Sequence, residues 1–223
     1  MKKKAISDIV EIIKKYQLSS TEFRYISAQA RNQTGLIIPK RSKKLPDFLN
    51  ASEIYTFVNK AVNKNALTGV LSEFLIFTGL RISEARNLQI QDIDFDNNQL
   101  KVVQGKGSKD RHVPLTSNLA HKLKLFLNGR KRGYVFCKAD ERPFTVRALQ
   151  LRVTDTLFGC DFSKNLSTHS LRHTFACLCL TRGMKLEQIK LLMGHSSIKT
   201  TEIYAKLELG SIKNEFLSLM DYR

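Results

Sequence analysis

The amino-acid sequence predicts a mainly α-helical domain with a small antiparallel β-sheet, in the α+β class. Apolar residues recur at helical spacing through most of the 223-residue chain. Short strand-like runs gather mainly around residues 93–115, where turn residues separate them. A chain of this length corresponds to one or two domains and can bury a full hydrophobic core.

Residues 1–45 are predicted to form a short basic arm, made of two helices and a linker. The apolar residues of 6–13 have helical spacing and indicate the first helix. Ser19 followed by Glu22 fits a capping box for the second helix, which we expect to end near Arg31.

Residues 46–207 are predicted to form the main domain, which opens with three helices. Asn50 followed by Glu53 is a capping signal for the first of them. The second is apolar on several faces, which is typical of a core helix, and Gly79 interrupts it before the third begins. The apolar stripe of the first helix consists of Ile54, Phe57, Val58 and Val62. The second helix is expected at 67–77 and the third at 82–88.

A small sheet is predicted next, from strands at 93–95, 100–104 and 111–115. The asparagine-rich turn at 96–98 joins the first two, and the glycines of 105–110 mark a hairpin loop before the third. The remaining predicted elements are a short strand at 134–137, helices at 117–128, 145–158, 171–181, 186–193 and 200–207, and an amphipathic C-terminal helix within 208–223.

The charge balance predicts a polyanionic partner. The chain has 37 basic and 20 acidic residues, a net charge of +17. Such an excess favours nucleic acid ahead of a membrane surface, with a merely basic soluble protein as the alternative. Residues 1–44 hold 11 Lys/Arg against 3 Asp/Glu, so 11 − 3 = +8. Their charge run is either a solvated face or an arm that follows DNA phosphates.

Other classes of protein are disfavoured. The four cysteines are too few and too scattered for a disulfide framework or a metal cluster. Asp8 and Glu11 interrupt what would be the apolar part of a signal peptide. The longest apolar stretches are far too short to span a bilayer. We therefore expect a cytoplasmic protein with reduced thiols and no membrane partner.

Arg81 is the first candidate functional residue, because it lies at a break between two apolar helices. A basic residue there is costly unless it meets an anion. Glu84, three residues later, is placed to be that anion and to orient the guanidinium. A purely structural pair between Arg81 and Glu84 is an equal alternative.

The segment 167–173 opens a helix and supplies two more candidates. His169 and Arg172 are three residues apart and share a face of the first turn. A helix N-terminus attracts anions through its free N–H groups, so these side chains predict a phosphate pocket. His173 falls on another face, where a packed core histidine is the simpler interpretation.

Three further candidates are weak individually. Lys106 lies in the glycine-flanked hairpin loop, where it can reach a cleft or be an ordinary solvated lysine. His195 follows a glycine turn between two helices. Tyr204 comes 204 − 195 = 9 residues later, in a setting where tyrosines usually pack in a core or an interface.

A metal site at Asp92, Asp94 and Asp96 is a minor alternative. An extended strand would put the three carboxylates on one face, where they could hold Mg²⁺ for phosphodiester hydrolysis. They precede an asparagine-rich turn and have no histidine nearby. The sequence therefore predicts no metal site here.

Taken in order, these residues resemble the tyrosine recombinase (phage integrase) family, and the small Xer-type and mobile-element integrases are most similar. The resemblance covers about residues 46–207 and is specific because four motifs occur in order. They are Thr-Gly-Leu-Arg-Ile-Ser-Glu at 78–84, Gly-Lys-Gly-Ser-Lys-Asp-Arg-His-Val-Pro-Leu at 105–115, His-Ser-Leu-Arg-His at 169–173, and Leu-Met-Gly-His at 192–195 followed by Tyr204.

The resemblance implies the DNA breaking-rejoining fold and a site-specific recombinase activity that needs no metal or other cofactor. Tyr204 would be the nucleophile that forms a 3′-phosphotyrosyl link, and Arg81 and Arg172 would clamp the phosphate. His169 matches the general acid/base position. Lys106 matches the lysine that protonates the 5′-oxygen, and His195 matches a residue that hydrogen-bonds the scissile phosphate.

The resemblance also implies partners: double-stranded DNA, and a homotetramer on that DNA formed from a protein that is monomeric when free. The C-terminal helix at 208–223 would dock on a neighbouring protomer, with packing on its own domain as an equal alternative. The side chains expected to contact DNA are Lys40, Arg41, Lys43, Lys44, Lys109 and Arg111.

The sequence departs from the family pattern at its N-terminus. Most members carry a full helical core-binding domain there, and residues 1–45 are too short for one. We therefore expect either a minimal recombinase or one that needs a helper protein. The functional alternative is a DNA-binding regulator on a recombinase scaffold that has lost strand exchange, although the intact residue set argues against it.

Overall fold

The structure is a computed structural model that describes residues 2–35, 46–103 and 110–194. The chain divides into two compact units, Met1–Lys43 and Lys44–Arg223. The predicted helices at 200–207 and 208–223 lie outside the described residues. None of the described helices is both long enough and apolar enough to cross a membrane.

The first unit contains helices α1 (Lys2–Lys15) and α2 (Ser20–Thr34). The predicted capping box is confirmed, since the Glu22 N–H donates to Ser19 Oγ and the Ser19 N–H donates to Glu22 Oε2. Gly35 ends α2 in the left-handed conformation. Within this described part, no residue of α2 is buried, so its apolar side chains build no core of their own.

The second unit is mainly helical, as the sequence predicts. Asn50 caps its first helix through the expected reciprocal bonds with Glu53. Gly79 adopts a positive φ of 63° and ends the second helix. The described helices are α3 (Ala51–Lys64), α4 (Ala66–Thr78), α5 (Ile82–Asn87), α6 (Ser117–Leu127), α7 (Val146–Gly159), α8 (Thr168–Thr181) and α9 (Leu186–Met193), with a 3₁₀ turn at Ile90–Asp92.

One antiparallel sheet of three strands, in the order β1-β2-β3, completes the described fold. Its strands are β1 (Ile93–Asp94), β2 (Gln99–Val102) and β3 (Arg111–Pro114). Leu100 pairs with Ile93 on one side and with Val113 on the other. All three side chains are buried, so one face of the sheet packs on the core.

The predicted strand at 134–137 is wrong, because the structure shows only isolated bridges at Tyr134 and Cys137. The Arg130 guanidinium occupies the acceptors that a neighbouring strand would need. It donates to the Tyr134 carbonyl at 3.0 Å and to the Val135 carbonyl at 3.1 Å. The backbone pairing of this segment with residues 88–90 is therefore limited to two hydrogen bonds, from the Val135 N–H to the Leu88 carbonyl and from the Ile90 N–H to the Gly133 carbonyl.

Helix α4 forms the centre of the core, with nine buried residues. Phe74 on this helix meets Phe136 edge to face at 5.4 Å between ring centroids. A smaller apolar cluster around Phe175, Ile189 and Met193 joins α8 to α9. This packing brings the end of α4, the start of α5, and helices α8 and α9 to one place, where the candidate site lies.

Candidate active site

The site is built around the carboxylate of Glu84 in the first turn of α5. The Arg81 N–H donates to Glu84 Oε2 at 2.7 Å, and Arg81 Nη1 donates to Oε1 at 3.0 Å. The pairing expected from the sequence is therefore confirmed. The Arg81 side chain is 39% exposed, so its guanidinium is held by Glu84 and still faces solvent.

Arg111, the first residue of β3, binds both oxygens of the same carboxylate. Its Nη1 lies 3.0 Å from Glu84 Oε1 and its Nη2 lies 2.9 Å from Oε2. This is the bidentate geometry in which a guanidinium and a carboxylate bind most strongly. The side chains of Arg111 and Glu84 are only 9% and 12% exposed, so the pair is internal.

The sequence assigned Arg111 to the DNA surface, and the structure gives it this internal role instead. Alternation along β3 was the signal that could have shown it. Arg111 and the buried Val113 are two residues apart in a strand, so they share the face that packs on the core.

These contacts decide the ionisation of Glu84. Burial by itself raises the pKa of this carboxyl, because the charged form loses hydration. Hydrogen bonds from Arg111 and from the Arg81 N–H outweigh burial, and the pKa lies below its ordinary value of 4.5. Glu84 is therefore a fixed negative charge at neutral pH.

Arg172 on α8 reaches the same carboxylate from the other side. Its Nη1 lies 3.9 Å from Glu84 Oε2, and its side chain is 6% exposed. The guanidinium also donates to the carbonyls of Gly79 and Met193. Arg81, Arg111 and Arg172 together with Glu84 carry a summed charge of 3 − 1 = +2. Such a group favours binding of an anion.

The last turn of α9 is held by the same three arginines. Arg111 Nε donates to the Leu192 carbonyl at 2.7 Å, Arg172 Nη2 to that of Met193, and Arg81 Nη2 to that of Gly194 at 3.5 Å. The last carbonyls of a helix have no partner within it and form the negative end of its dipole, so they suit cations. Each arginine therefore fixes a separate point of the segment that leads into His195.

His169 lies in the first turn of α8 and Arg172 at the start of the second, and the two side chains differ in exposure. His169 is exposed, whereas the Arg172 guanidinium points inward to Gly79 and Met193. His173 is half-buried, as its interpretation as a packed histidine requires. Burial, together with the nearby His169 and Arg172, lowers the pKa of His173.

The structure thus brings the predicted residues Arg81, Glu84 and Arg172 together and adds Arg111 to them. His169 lies on the same helix as Arg172. The other predicted side chains lie outside the described residues. They are the catalytic candidates Lys106, His195 and Tyr204, and the DNA-contact candidates Lys40, Arg41, Lys43, Lys44 and Lys109.

The aspartates at 92, 94 and 96 do not share one extended strand. Asp92 caps the 3₁₀ turn through the Gln89 N–H, and Asp94 is the last residue of β1. Asp94 accepts hydrogen bonds from Asn97 and from the Asp96 N–H, which lower its pKa to about 2. Over the described part of the chain, no three His, Cys, Asp or Glu side chains are grouped to hold a metal ion.

Comparison with known proteins decides the family. The sequence profile of the phage integrase family matches residues 41–209, well over half of the chain. The chain belongs to the phage integrase family. Its helical fold with one small sheet also matches the crystal structure of XerA recombinase, with a TM-score of 0.68 and 25% identity over 97% of this chain and 84% of that one.

The curated relatives are tyrosine recombinases. One from Pseudothermotoga lettingae is 36% identical over 76% of this chain and 59% of its own length. Tyrosine recombinase XerC from Lacticaseibacillus casei is 32% identical over 87% of this chain and 71% of its own length. This phage integrase family member thus spans less than two thirds of the first of these relatives.

A solved complex adds a DNA-bound neighbour. The XerH site-specific recombinase bound to its difH substrate superposes with a TM-score of 0.62 and 26% identity, over 78% of this chain and 56% of that one. The XerH chain in that complex therefore contains the fold of this integrase-family member.

Proposed function

We propose that this chain is a site-specific DNA recombinase that cuts and rejoins DNA strands through a 3′-phosphotyrosyl intermediate on Tyr204. The observation that carries the proposal is the arginine cluster. Arg81 and Arg172 both meet Glu84, at 3.0 Å and 3.9 Å, and both donate to the α9 turn that precedes His195.

The cluster suits the transition state of phosphoryl transfer. Attack on a phosphodiester concentrates negative charge on the non-bridging oxygens, and fixed guanidiniums stabilise that charge without reorganising. Each guanidinium has five N–H donors in a rigid plane, so Arg81 can bind Glu84 and still offer donors to a phosphate. Two guanidiniums then supply the positive charge that other enzymes take from a metal ion, and the proposed reaction uses no cofactor.

The remaining roles follow the family motifs. Tyr204 attacks the phosphorus and the 5′-oxygen leaves, with its proton supplied by Lys106. His169 acts as general acid/base for the tyrosine hydroxyl, and His195 hydrogen-bonds the phosphate. A phenol has an ordinary pKa of about 10, so the nucleophile needs such a base and a cationic site. The phosphotyrosyl bond keeps the diester energy, and a second 5′-hydroxyl reverses it without ATP.

The proposed partner is double-stranded DNA, supported by the net charge of +17 and by the DNA-bound XerH relative. We propose a homotetramer on DNA that is monomeric when free, with a helper protein as the alternative way to hold the duplex. The proposed division is a basic arm at 1–45, a catalytic domain at 46–207, and a C-terminal helix at 208–223 that docks on its own domain or a neighbour.

The proposed compartment is the cytoplasm. All four cysteines are free thiols, which suits a reducing environment. Burial raises the pKa of Cys177 to about 12, so this thiol stays protonated and behaves as a packing residue.

Covalent trapping tests the function. The protein is incubated with a nicked DNA site, found by binding selection, in excess chelator, and then denatured. We expect a DNA–protein adduct that Tyr204→Phe abolishes while it retains DNA binding. Tyr55→Phe is the matched control, because Tyr55 is a 72% exposed tyrosine of the same unit. Tight binding without an adduct would instead favour a DNA-binding regulator, and an adduct in Tyr204→Phe would exclude that tyrosine as nucleophile.

A further inference from the structure

We propose that Arg111 is a positioning residue for strand cleavage, which holds the start of β3 and the end of α9 against Glu84, the partner of Arg81. The inference rests on the proposed function. It assigns to Arg111 a task in the chemical step rather than the contact with DNA that its sequence position suggests.

The first step is the place of Arg111 in the chain. It begins β3, and in the sequence it follows Lys106 by 111 − 106 = 5 residues. Its Nε binds the Leu192 carbonyl, which is 195 − 192 = 3 residues before His195. Its two terminal nitrogens bind Glu84, which orients Arg81. A single side chain therefore joins three segments that are distant in sequence.

The second step is the use of its donors. Both Glu84 oxygens accept from Arg111, so the carboxylate is fixed in plane and direction. Arg81 meets the same carboxylate through one guanidinium nitrogen, Nη1. If Arg111 were lost, the carboxylate could rotate towards Arg81 and occupy more of its donors. Arg111 thus limits how much of Arg81 is neutralised by Glu84.

The third step is that a lysine cannot do the same. An ammonium group is a point charge, so it can bind Glu84 or the Leu192 carbonyl but cannot reproduce the three-point fork. Arg111→Lys keeps the charge beside Glu84, which protects folding, and loses the geometry. A displacement of about 1 Å at a reacting centre can cost about 100-fold in rate.

The experiment compares Arg111→Lys with Arg86→Lys on the nicked DNA site. Arg86 is the matched control, because its Nε also donates to a backbone carbonyl, that of Phe144 at 3.1 Å, while its Nη1 binds Asn87 rather than Glu84. The readouts are the single-turnover rate of adduct formation at saturating DNA, the Kd for DNA and the thermal midpoint.

We expect Arg111→Lys to slow adduct formation at saturation by at least about tenfold, with the Kd within about twofold of wild type. Arg86→Lys should keep the wild-type rate. A wild-type rate in Arg111→Lys would overturn the inference. So would a weakened Kd with an unchanged rate at saturation, because that result would make Arg111 a DNA contact.

A second variant covers the case in which Arg111→Lys does not fold. Arg111→Met combined with Glu84→Gln removes both members of the internal pair together, so neither is left without the other. The glutamine can still accept the Arg81 N–H as a helix cap. We expect this variant to fold and to cleave slowly; cleavage at the wild-type rate would show that the pair is only structural. If wild-type protein forms no adduct, the proposed function fails and this inference fails with it.

Discussion

Glu84 and Arg111 are joined by two hydrogen bonds of 3.0 and 2.9 Å that link α5 to the start of β3. The pair is internal, and Arg81 and Arg172 approach the same carboxylate. Three positive groups therefore depend on one negative charge for their arrangement. This relationship makes Glu84 the position at which the stability and pH dependence of the site can be tested directly.

Glu84→Gln should lower stability at pH 7 by about 3–5 kcal/mol, because it leaves the internal Arg111 guanidinium without its counter-charge and turns one acceptor oxygen into an NH2 donor. The pKa of Glu84 is depressed in the folded state, so the folded protein favours the ionised form. Its stabilisation is present above the ordinary value of 4.5 and is lost as pH falls below it, towards the folded-state value. Urea unfolding from pH 7 to pH 3 measures both effects.

The free energy of unfolding of Glu84→Gln should approach that of wild type in acid, because there the carboxyl of wild-type Glu84 is protonated and carries no charge either. Glu187→Gln is the control, since it removes an exposed carboxylate of α9 and should leave the acid limb unchanged. A difference in free energy of unfolding between wild type and Glu84→Gln that stays the same at all pH values would contradict the lowered pKa assigned to Glu84.

Gly79→Ala should destabilise the protein by more than about 2 kcal/mol and slow adduct formation. Gly79 has a φ of 63°, and an added Cβ would lie 2.4 Å from Phe175 Cδ1. Its carbonyl also accepts from Arg172, so a shift of this turn would move a proposed phosphate ligand. The left-handed conformation costs an alanine about 1–2 kcal/mol, and the clash adds to it. Denaturant unfolding and the trapping assay measure the two effects.

Gly183→Ala separates the cost of the left-handed conformation from the cost of the clash with Phe175. Gly183 also has a positive φ, 83°, but nothing lies within 4 Å of an added Cβ. It should cost only the conformational part, about 1–2 kcal/mol, and leave adduct formation unchanged. Equal losses of stability at the two glycines would show that the contact with Phe175 is relieved by a small movement.

Sequence patterns predicted the elements whose causes are local. The capping boxes at Ser19 and Asn50 and the helix stop at Gly79 depend on residues within four positions of each other, and all three are confirmed. The pairing of Arg81 with Glu84 is equally local and is confirmed for the same reason. Periodicity and caps therefore sufficed for most of the described helices and for the position of the sheet.

What the sequence missed depends on contacts between distant residues. Arg111 binds a carbonyl 81 positions away, and Arg172 binds one 93 positions away at Gly79. Alternation along β3 indicates that Arg111 faces the core, but no local pattern shows which distant groups it binds, and the prediction therefore places Arg111 with the DNA contacts. The strand expected at 134–137 is wrong for a local reason instead, because Arg130 donates to the carbonyls of Tyr134 and Val135, four and five residues later.

Thr174→Val should cost about 1–3 kcal/mol of stability. The Thr174 hydroxyl accepts the Leu49 N–H at 2.9 Å and donates to the Ser170 carbonyl at 2.8 Å. It is fully buried, and valine has nearly the same shape. The substitution therefore leaves the Leu49 N–H buried without a partner, which is the expensive way to lose a hydrogen bond.

Thr156→Val is the matched control. Thr156 is also fully buried in a helix, but its hydroxyl donates to the Arg152 carbonyl of the same helix, at 2.7 Å. The Arg152 carbonyl keeps its backbone partner, so valine should cost at most about 1 kcal/mol, the net contribution of one hydrogen bond. Thermal and urea unfolding of the two variants should therefore differ clearly, and similar losses would contradict the role given to the Leu49 N–H.

Asp94→Asn tests whether strand cleavage depends on a metal ion held by the aspartates. If the aspartates at 92, 94 and 96 held a catalytic metal, neutralising Asp94 would abolish strand cleavage, and chelator would do the same to wild type. The structure instead engages Asp94 with the turn, where Asn97 and the Asp96 N–H donate to it. Asparagine retains an acceptor for that turn. We therefore expect Asp94→Asn to form the Tyr204 adduct at the wild-type rate in excess chelator. Loss of cleavage in both the variant and chelated wild type, with DNA binding intact, would move the reaction from the arginine cluster to a metal.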